Sequence, residues 1–135
     1  MMASNFTNEP INMNVLATET FSMGMLCRIG AGNTMSATAP ASVAFFVTVD
    51  ESSRDAAGTL EVSGATVSVV PMSGVVFVQA ADAAYTIGQL VYAGALGRAT
   101  TTAGANKLIG VSMGLHTGLT AGDLIAVNVS QAVTA

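Results

Sequence analysis

The 135-residue chain is half hydrophobic and carries few charges: hydrophobic residues make up 51%, aromatic residues 5% and charged residues 9% of the sequence. Soluble domains usually carry about 25% charged residues, so this chain is expected to cover much of its surface with copies of itself or with a larger partner. The formal net charge is −4. The few basic residues are scattered, which excludes a cationic stripe for nucleic acid.

Neither a membrane span nor a secretory signal is predicted. The apolar runs are far shorter than the roughly 20 residues that a membrane-spanning helix needs. The N-terminus lacks the basic and apolar segments of a signal peptide. A single cysteine, Cys27, cannot form an internal disulfide, which agrees with synthesis in a reducing cytoplasm.

Residues 1–16 are predicted to form an extended N-terminal arm, and residues 17–135 a single β-domain. The arm is rich in Asn and contains Pro10, and these residues favour extended chain and turns over helix. Apolar side chains at Phe6, Ile11 and Met13 interrupt this polar stretch. We therefore expect the arm to become ordered on a partner, although a frayed terminus remains the alternative.

Residues 21–29 alternate with period two and predict the first strand of the domain, with its odd-numbered residues on one face. Cys27 falls on that face and is expected to be a buried thiol rather than a nucleophile. A second strand is predicted over residues 42–50, which should be the most buried. The charge-dense residues 50–55 follow it and predict an exposed loop.

A hairpin is predicted around Gly64, from residues 59–63 and 65–70. Pro71 should mark a strand end or an edge, since proline cannot donate to a central ladder. Residues 75–79 predict another strand, and residues 80–84 a single helical turn. The last third adds short apolar runs at residues 89–93, 107–111 and 123–129, separated by glycine-containing turns.

The fold class is therefore all-β, a small barrel or sandwich of roughly eight to ten short strands. Glycines leave no room between these runs for helices of ordinary length.

One pattern is compatible with catalysis. Residues 110–114 read G-x-S-x-G, the nucleophile elbow of α/β-hydrolases, which places Ser112 in the nucleophile position. The following residues predict a turn instead of a helix, and His116 precedes Asp123, whereas that family needs the acid before the histidine. We therefore expect no enzyme activity and no catalytic residue. With one histidine and one cysteine in the chain, no metal site and no cofactor are expected either.

The C-terminal third also resembles a known family. Its motifs occur in a fixed order along the chain: Tyr85, Gly88, Val91-Tyr92, Gly97-Arg98-Ala99-Thr100, Leu108-Ile109-Gly110-Val111 and Gly122-Asp123. This order resembles the small β-domain of tailed-phage head decoration proteins, also called capsid cement proteins. One departure is Gln89, where the family pattern has an acidic residue.

The resemblance implies a structural virion protein made in the bacterial cytoplasm and placed on the outer surface of the phage capsid. It implies the major capsid protein as partner, and homotrimers at three-fold and quasi-three-fold axes that stabilise the shell. Phe6, Ile11 and Met13 are the residues we expect to contact the capsid. Two alternatives stay open: a tail, spike or fibre β-domain that binds a receptor or glycan, and a bacterial structural protein unrelated to phage.

Overall fold

The structure is a computed structural model that describes residues 13–16 through their backbone, and residues 19–29, 34–39, 42–51, 57 and 66–130. These residues form ten β-strands and a single turn of 3-10 helix at Ala95–Gly97. The strands are β1 Met13–Leu16, β2 Leu26–Ile29, β3 Met35–Ala37, β4 Phe46–Thr48, β5 Thr66–Pro71, β6 Val75–Gln79, β7 Leu90–Ala93, β8 Ala99–Thr100, β9 Leu108–Ser112 and β10 Leu124–Val129. The predicted all-β class is confirmed.

The first sheet has five antiparallel strands in the order β1-β5-β4-β2-β3. Its edge strand β1 places Met13 opposite Val69 and Leu16 opposite Thr66. The last four residues of the predicted arm are therefore a strand of this sheet. Phe6 and Ile11 lie outside the described residues, so their expected contact with a capsid stays a prediction.

The second sheet also has five antiparallel strands, in the order β6-β10-β9-β7-β8. Its two edges meet where Ala80, directly after β6, forms a parallel bridge with Ala99 of β8. The Ala81 N–H donates to the Ala99 carbonyl at 2.8 Å. The sheet is thereby curled into a half-barrel around an interior of Val, Ile and Ala side chains.

Strand β2 contributes to two separate cores, because its successive residues point to opposite faces. Leu26 packs with the interior of the second sheet, whereas Cys27 packs with Phe21, Met35 and two valines of β5. The predicted single apolar face over residues 21–29 is therefore wrong. Gly24 has a φ of +86° and turns the chain before the strand starts, so Met23 is exposed.

Two further sequence predictions need correction. The strand predicted over residues 42–50 is only the three residues of β4, and the exposure of Phe45 and Val49 shows that the predicted full burial of that stretch is wrong. The helical turn predicted over residues 80–84 is replaced by the Ala80 bridge and a series of bends. Backbone N–H groups of this segment donate to β8 and to a neighbouring turn, so they are not available for hydrogen bonds within a helix.

Strands β3 and β8 were not predicted, whereas four other strands and the end of β5 agree with the sequence. Strand β6 has the predicted bounds, β5 ends at Pro71, and β7, β9 and β10 lie within one residue of their predicted positions. Asp50 and Glu51 of the charged loop are exposed. Residues 52–56 of that loop and the first hairpin strand, residues 59–63, lie outside the described residues.

Strands β7 and β10 begin with the same turn. Before β7, the Thr86 N–H donates to Gln89 Oε1 at 2.9 Å; before β10, the Thr120 N–H donates to Asp123 Oδ2 at 2.9 Å. A glycine with positive φ precedes the acceptor in each turn. The amide of Gln89 therefore accepts the bond that a carboxylate accepts in the second turn, so its departure from the family pattern leaves the turn intact.

A buried amide joins the two sheets. Gln79, at the end of β6, is 4% exposed, and its Nε2 donates to Ser22 Oγ at 2.6 Å and to the Met23 carbonyl at 2.8 Å. Its Oε1 accepts from Arg98 Nε at 3.2 Å. The backbone adds a bond from the Gln79 N–H to the Gly24 carbonyl at 2.8 Å. Every hydrogen-bonding group of this side chain is thus engaged between the sheets.

Replacing Gln79 with Ala is expected to lower the free energy of unfolding by about 2–3 kcal/mol, because it leaves partly buried donors and acceptors without partners. The matched control is Gln89→Ala, which removes two exposed bonds from Thr86 within one turn and should cost about 0.5–1 kcal/mol. Urea denaturation followed by circular dichroism measures both values. Equal losses in the two variants would contradict a special role for the buried amide.

Candidate interaction surface

The second sheet is apolar on both of its faces. One face is buried in the interior, and the other carries large exposed side chains, such as Phe77 at 61% and Val75 at 53% exposure. We define the outer face by seven apolar residues, six on four strands and Met113 directly after β9: Val75, Phe77, Leu90, Val111, Met113, Leu124 and Ala126. Antiparallel sheets that expose one face to water usually alternate apolar and polar residues, and this sheet does not.

Strand register brings the apolar residues of the outer face together, with the polar side chain of Asn128 among them. Val75 lies opposite Asn128, which lies opposite Val111, which in turn lies opposite Leu90. Strands are about 4.8 Å apart, so this row crosses roughly 15 Å of sheet.

A second row runs beside the first. Phe77 lies opposite Ala126, and the Met113 N–H donates to the Ala126 carbonyl at 2.9 Å. The apolar residues of the two rows are therefore neighbours on one surface.

Two acidic side chains near this sheet accept hydrogen bonds within its loops. Asp82 Oδ2 accepts from the Thr101 N–H at 2.6 Å and from the hydroxyls of Thr100 and Thr101. Asp123 closes the turn before β10. The outer face itself has no charged residue, so a partner that fits it must be apolar as well.

An apolar groove of about 600 Å³ opens beside the outer face, between β4 and β5 of the first sheet and β6 of the second. Its floor includes the buried residues Val47, Val70 and Val76. Phe77 belongs both to the outer face and to the lining of the groove. The two features therefore form one extended apolar surface.

The G-x-S-x-G pattern does not form a nucleophile elbow. Ser112 is the last residue of β9, is 1% exposed, and donates its hydroxyl proton to the Gly114 carbonyl at 2.9 Å. His116 Nε2 has no hydrogen-bond partner among the described residues, so it does not accept that proton. The backbone of His116 is occupied in a bridge with Tyr85.

Gly110 of this pattern is needed for close strand packing. A Cβ atom at this position would lie 2.1 Å from the Asn128 carbonyl oxygen of β10. The register between β7 and β9 also shifts opposite this glycine, between Val91 and Tyr92, as at a β-bulge. The pattern is therefore a structural feature of the sheet.

Two buried titratable groups have structural roles. Burial raises the pKa of the Cys27 thiol, with a smaller contribution from the negative charge of Glu19, as expected for an unreactive core cysteine. Burial also raises the pKa of Tyr85. The Tyr85 hydroxyl donates to the Ala99 carbonyl at 2.6 Å and accepts from the Ala81 and Asp82 N–H groups, which fastens the closing bridge of the half-barrel.

Within the described part of the chain, no group of three or more His, Cys, Asp or Glu side chains is placed to hold a metal ion. Among those same residues, no helix has the length and apolar character required to cross a membrane.

The sequence analysis did not find the outer face. Of the capsid-contact residues it predicted, Phe6 and Ile11 lie outside the described residues, and Met13 is described only as backbone in β1. The missed signal is the unbroken apolar run in β6, Val75 to Val78. In a sheet with one face exposed to water, apolar and polar residues would alternate along this strand.

The fold is similar to a solved structure, "The crystal structure of head fiber gp8.5 N base in bacteriophage phi29". The TM-score is 0.69 at 16% sequence identity, and the match covers 90% of this chain and 95% of the phage chain. At this identity the likeness shows a shared fold. No protein-family model and no curated protein sequence matches the chain.

Adding a methyl group at Gly110 is expected to separate β9 from β10, so Gly110→Ala should lower the free energy of unfolding by about 3 kcal/mol. Gly104→Ala is the control, because a Cβ there meets nothing within 4 Å and costs only the strain of its positive φ, about 1 kcal/mol. Ser112→Ala removes one hydrogen bond and should also cost about 1 kcal/mol. Urea denaturation measures all three, and a Gly110→Ala protein as stable as Gly104→Ala would contradict the packing argument.

Proposed function

We propose that this chain is a structural protein of a tailed-phage virion, a decoration or cement protein bound to the outside of the head. It acts without catalysis, by adding contacts across the joints between major capsid subunits. The observation that carries the proposal is the uncharged outer face, which is too apolar to be left in water and has no feature of a substrate site.

Two comparisons support a place on the phage head. The structure with the same fold is described as the base of a head fiber, and the C-terminal motifs resemble those of head decoration proteins. These agree in pointing to a β-domain attached to a phage head. The 9% charge content fits a protein whose surface is largely covered after assembly.

Trimers at three-fold and quasi-three-fold axes are the proposed arrangement, made in the bacterial cytoplasm and then bound to the shell. In a trimer, binding of one copy raises the effective concentration of the other two at the lattice. Hundreds of weak apolar contacts can then sum over a shell. The N-terminal residues Phe6, Ile11 and Met13 remain the proposed additional contacts to the capsid.

A second candidate is the base domain of a head fibre. The phi29 structure favours it directly, since that structure is described as the N base of a fiber. Such a domain would use the same outer face to sit on the head but would carry a distal part for another task. The two candidates differ in copy number on the virion rather than in the chemistry of attachment.

Placing a charge in the outer face is expected to weaken capsid binding at least tenfold, because Leu90→Glu would bury a carboxylate in an apolar contact. Leu96→Glu is the matched control, since Leu96 is also an exposed leucine, at 65% exposure, and lies in the 3-10 turn away from the face. Binding is measured by cosedimentation with phage heads that lack this protein. Equal binding of both variants would contradict the assignment of the outer face.

A further inference from the structure

The groove beside the outer face has an exposed apolar rim. Met23 and Val49 line one side, Val75 and Phe77 the other, and each is between 37% and 61% exposed. Its volume of about 600 Å³ lies within the range of sites that bury small ligands or short segments. Such a rim is costly to leave in water, so the groove needs an occupant.

The chain itself leads toward this groove. Strand β1 runs antiparallel to β5 with Met13 opposite Val69, so β1 begins at the end of β5 that continues into Val70 and Pro71. Both of these residues line the groove, and so does Gly74 in the turn that follows. The first described residue of the chain, Met13, therefore lies at the end of the sheet where the groove opens.

The segment is long enough to fill it. Twelve residues precede Met13, and an extended chain spans about 3.3–3.6 Å per residue, which gives a reach of about 40 Å. A tethered segment of this length has an effective local concentration in the millimolar range. Weak apolar contacts are therefore sufficient for occupancy.

The composition of the segment matches the lining. Residues 1–12 contain one charged side chain, Glu9, and carry the large apolar residues Phe6 and Ile11. Strand β10 also ends near the groove, since the Val129 N–H donates to the Gly74 carbonyl at 2.8 Å, so the C-terminal residues 131–135 are the competing occupant. They offer only Val133 as a large apolar side chain, so the N-terminal segment is the better match.

We propose that residues 1–12 occupy the groove of the same molecule in the free protein, with Phe6 and Ile11 as the two anchors. The occupant shields the apolar rim before assembly. This inference does not depend on the proposed function, because it concerns the isolated chain.

Crosslinking between introduced cysteines tests it in the full-length protein. Asn5→Cys is combined with Ser73→Cys at the exposed end of the groove, or with Ala105→Cys in the loop between β8 and β9 as the control. Cys27 is fully buried and should not react. With a short bismaleimide reagent, the Ser73→Cys pair should crosslink at least tenfold faster than the Ala105→Cys pair, and within single chains.

A third protein carries the Ser73→Cys pair together with Phe6→Ser and Ile11→Ser. Its crosslinking rate should fall to that of the control, while its circular dichroism spectrum is unchanged, because both substitutions lie outside the ten described strands. Equal rates for the two original pairs would overturn the proposal. Crosslinks that join two chains instead of one would overturn it as well, since the occupant would then belong to another copy.

Discussion

The arrangement of the two sheets depends on the buried amide of Gln79. This side chain, at 4% exposure, binds Ser22 and Met23 beside the first sheet and Arg98 beside β8 of the second. Because a buried amide without partners is costly, the loop at residues 22–24 is fixed against β6. That contact also holds Met23 at the rim of the groove. The interaction surface is therefore a consequence of how the sheets are joined.

Much of the fold could be predicted from the sequence, and the failures have physical causes. Strands β7 and β10 are predicted within one residue, because the turn before each is encoded locally by a threonine, a glycine and an acceptor. The strand over residues 21–29 failed because Leu26 and Cys27 serve two different cores, which no period-two pattern can reveal. The outer face was missed because its residues come from four strands, and only the register of the sheet brings them together.

The apolar groove and the uncharged outer face give the low charge content a structural explanation. A monomer in water normally covers itself with charged residues, whereas here Asp82 and Asp123 are bonded within loops of the second sheet and its outer face carries no charge. If the N-terminal segment occupies the groove before assembly, the shell would compete with the groove for Phe6 and Ile11. The free protein would then be protected from association until it meets a capsid lattice.

The proposed role places copies of this chain over the whole head of a tailed phage. The most direct test is to purify virions that contain it and to measure its copy number against the major capsid protein by quantitative mass spectrometry. The account predicts a ratio near one to one, since a decoration protein occupies the whole lattice. A handful of copies per virion would assign the chain to a fibre or a vertex, and its absence from virions would contradict the proposal altogether.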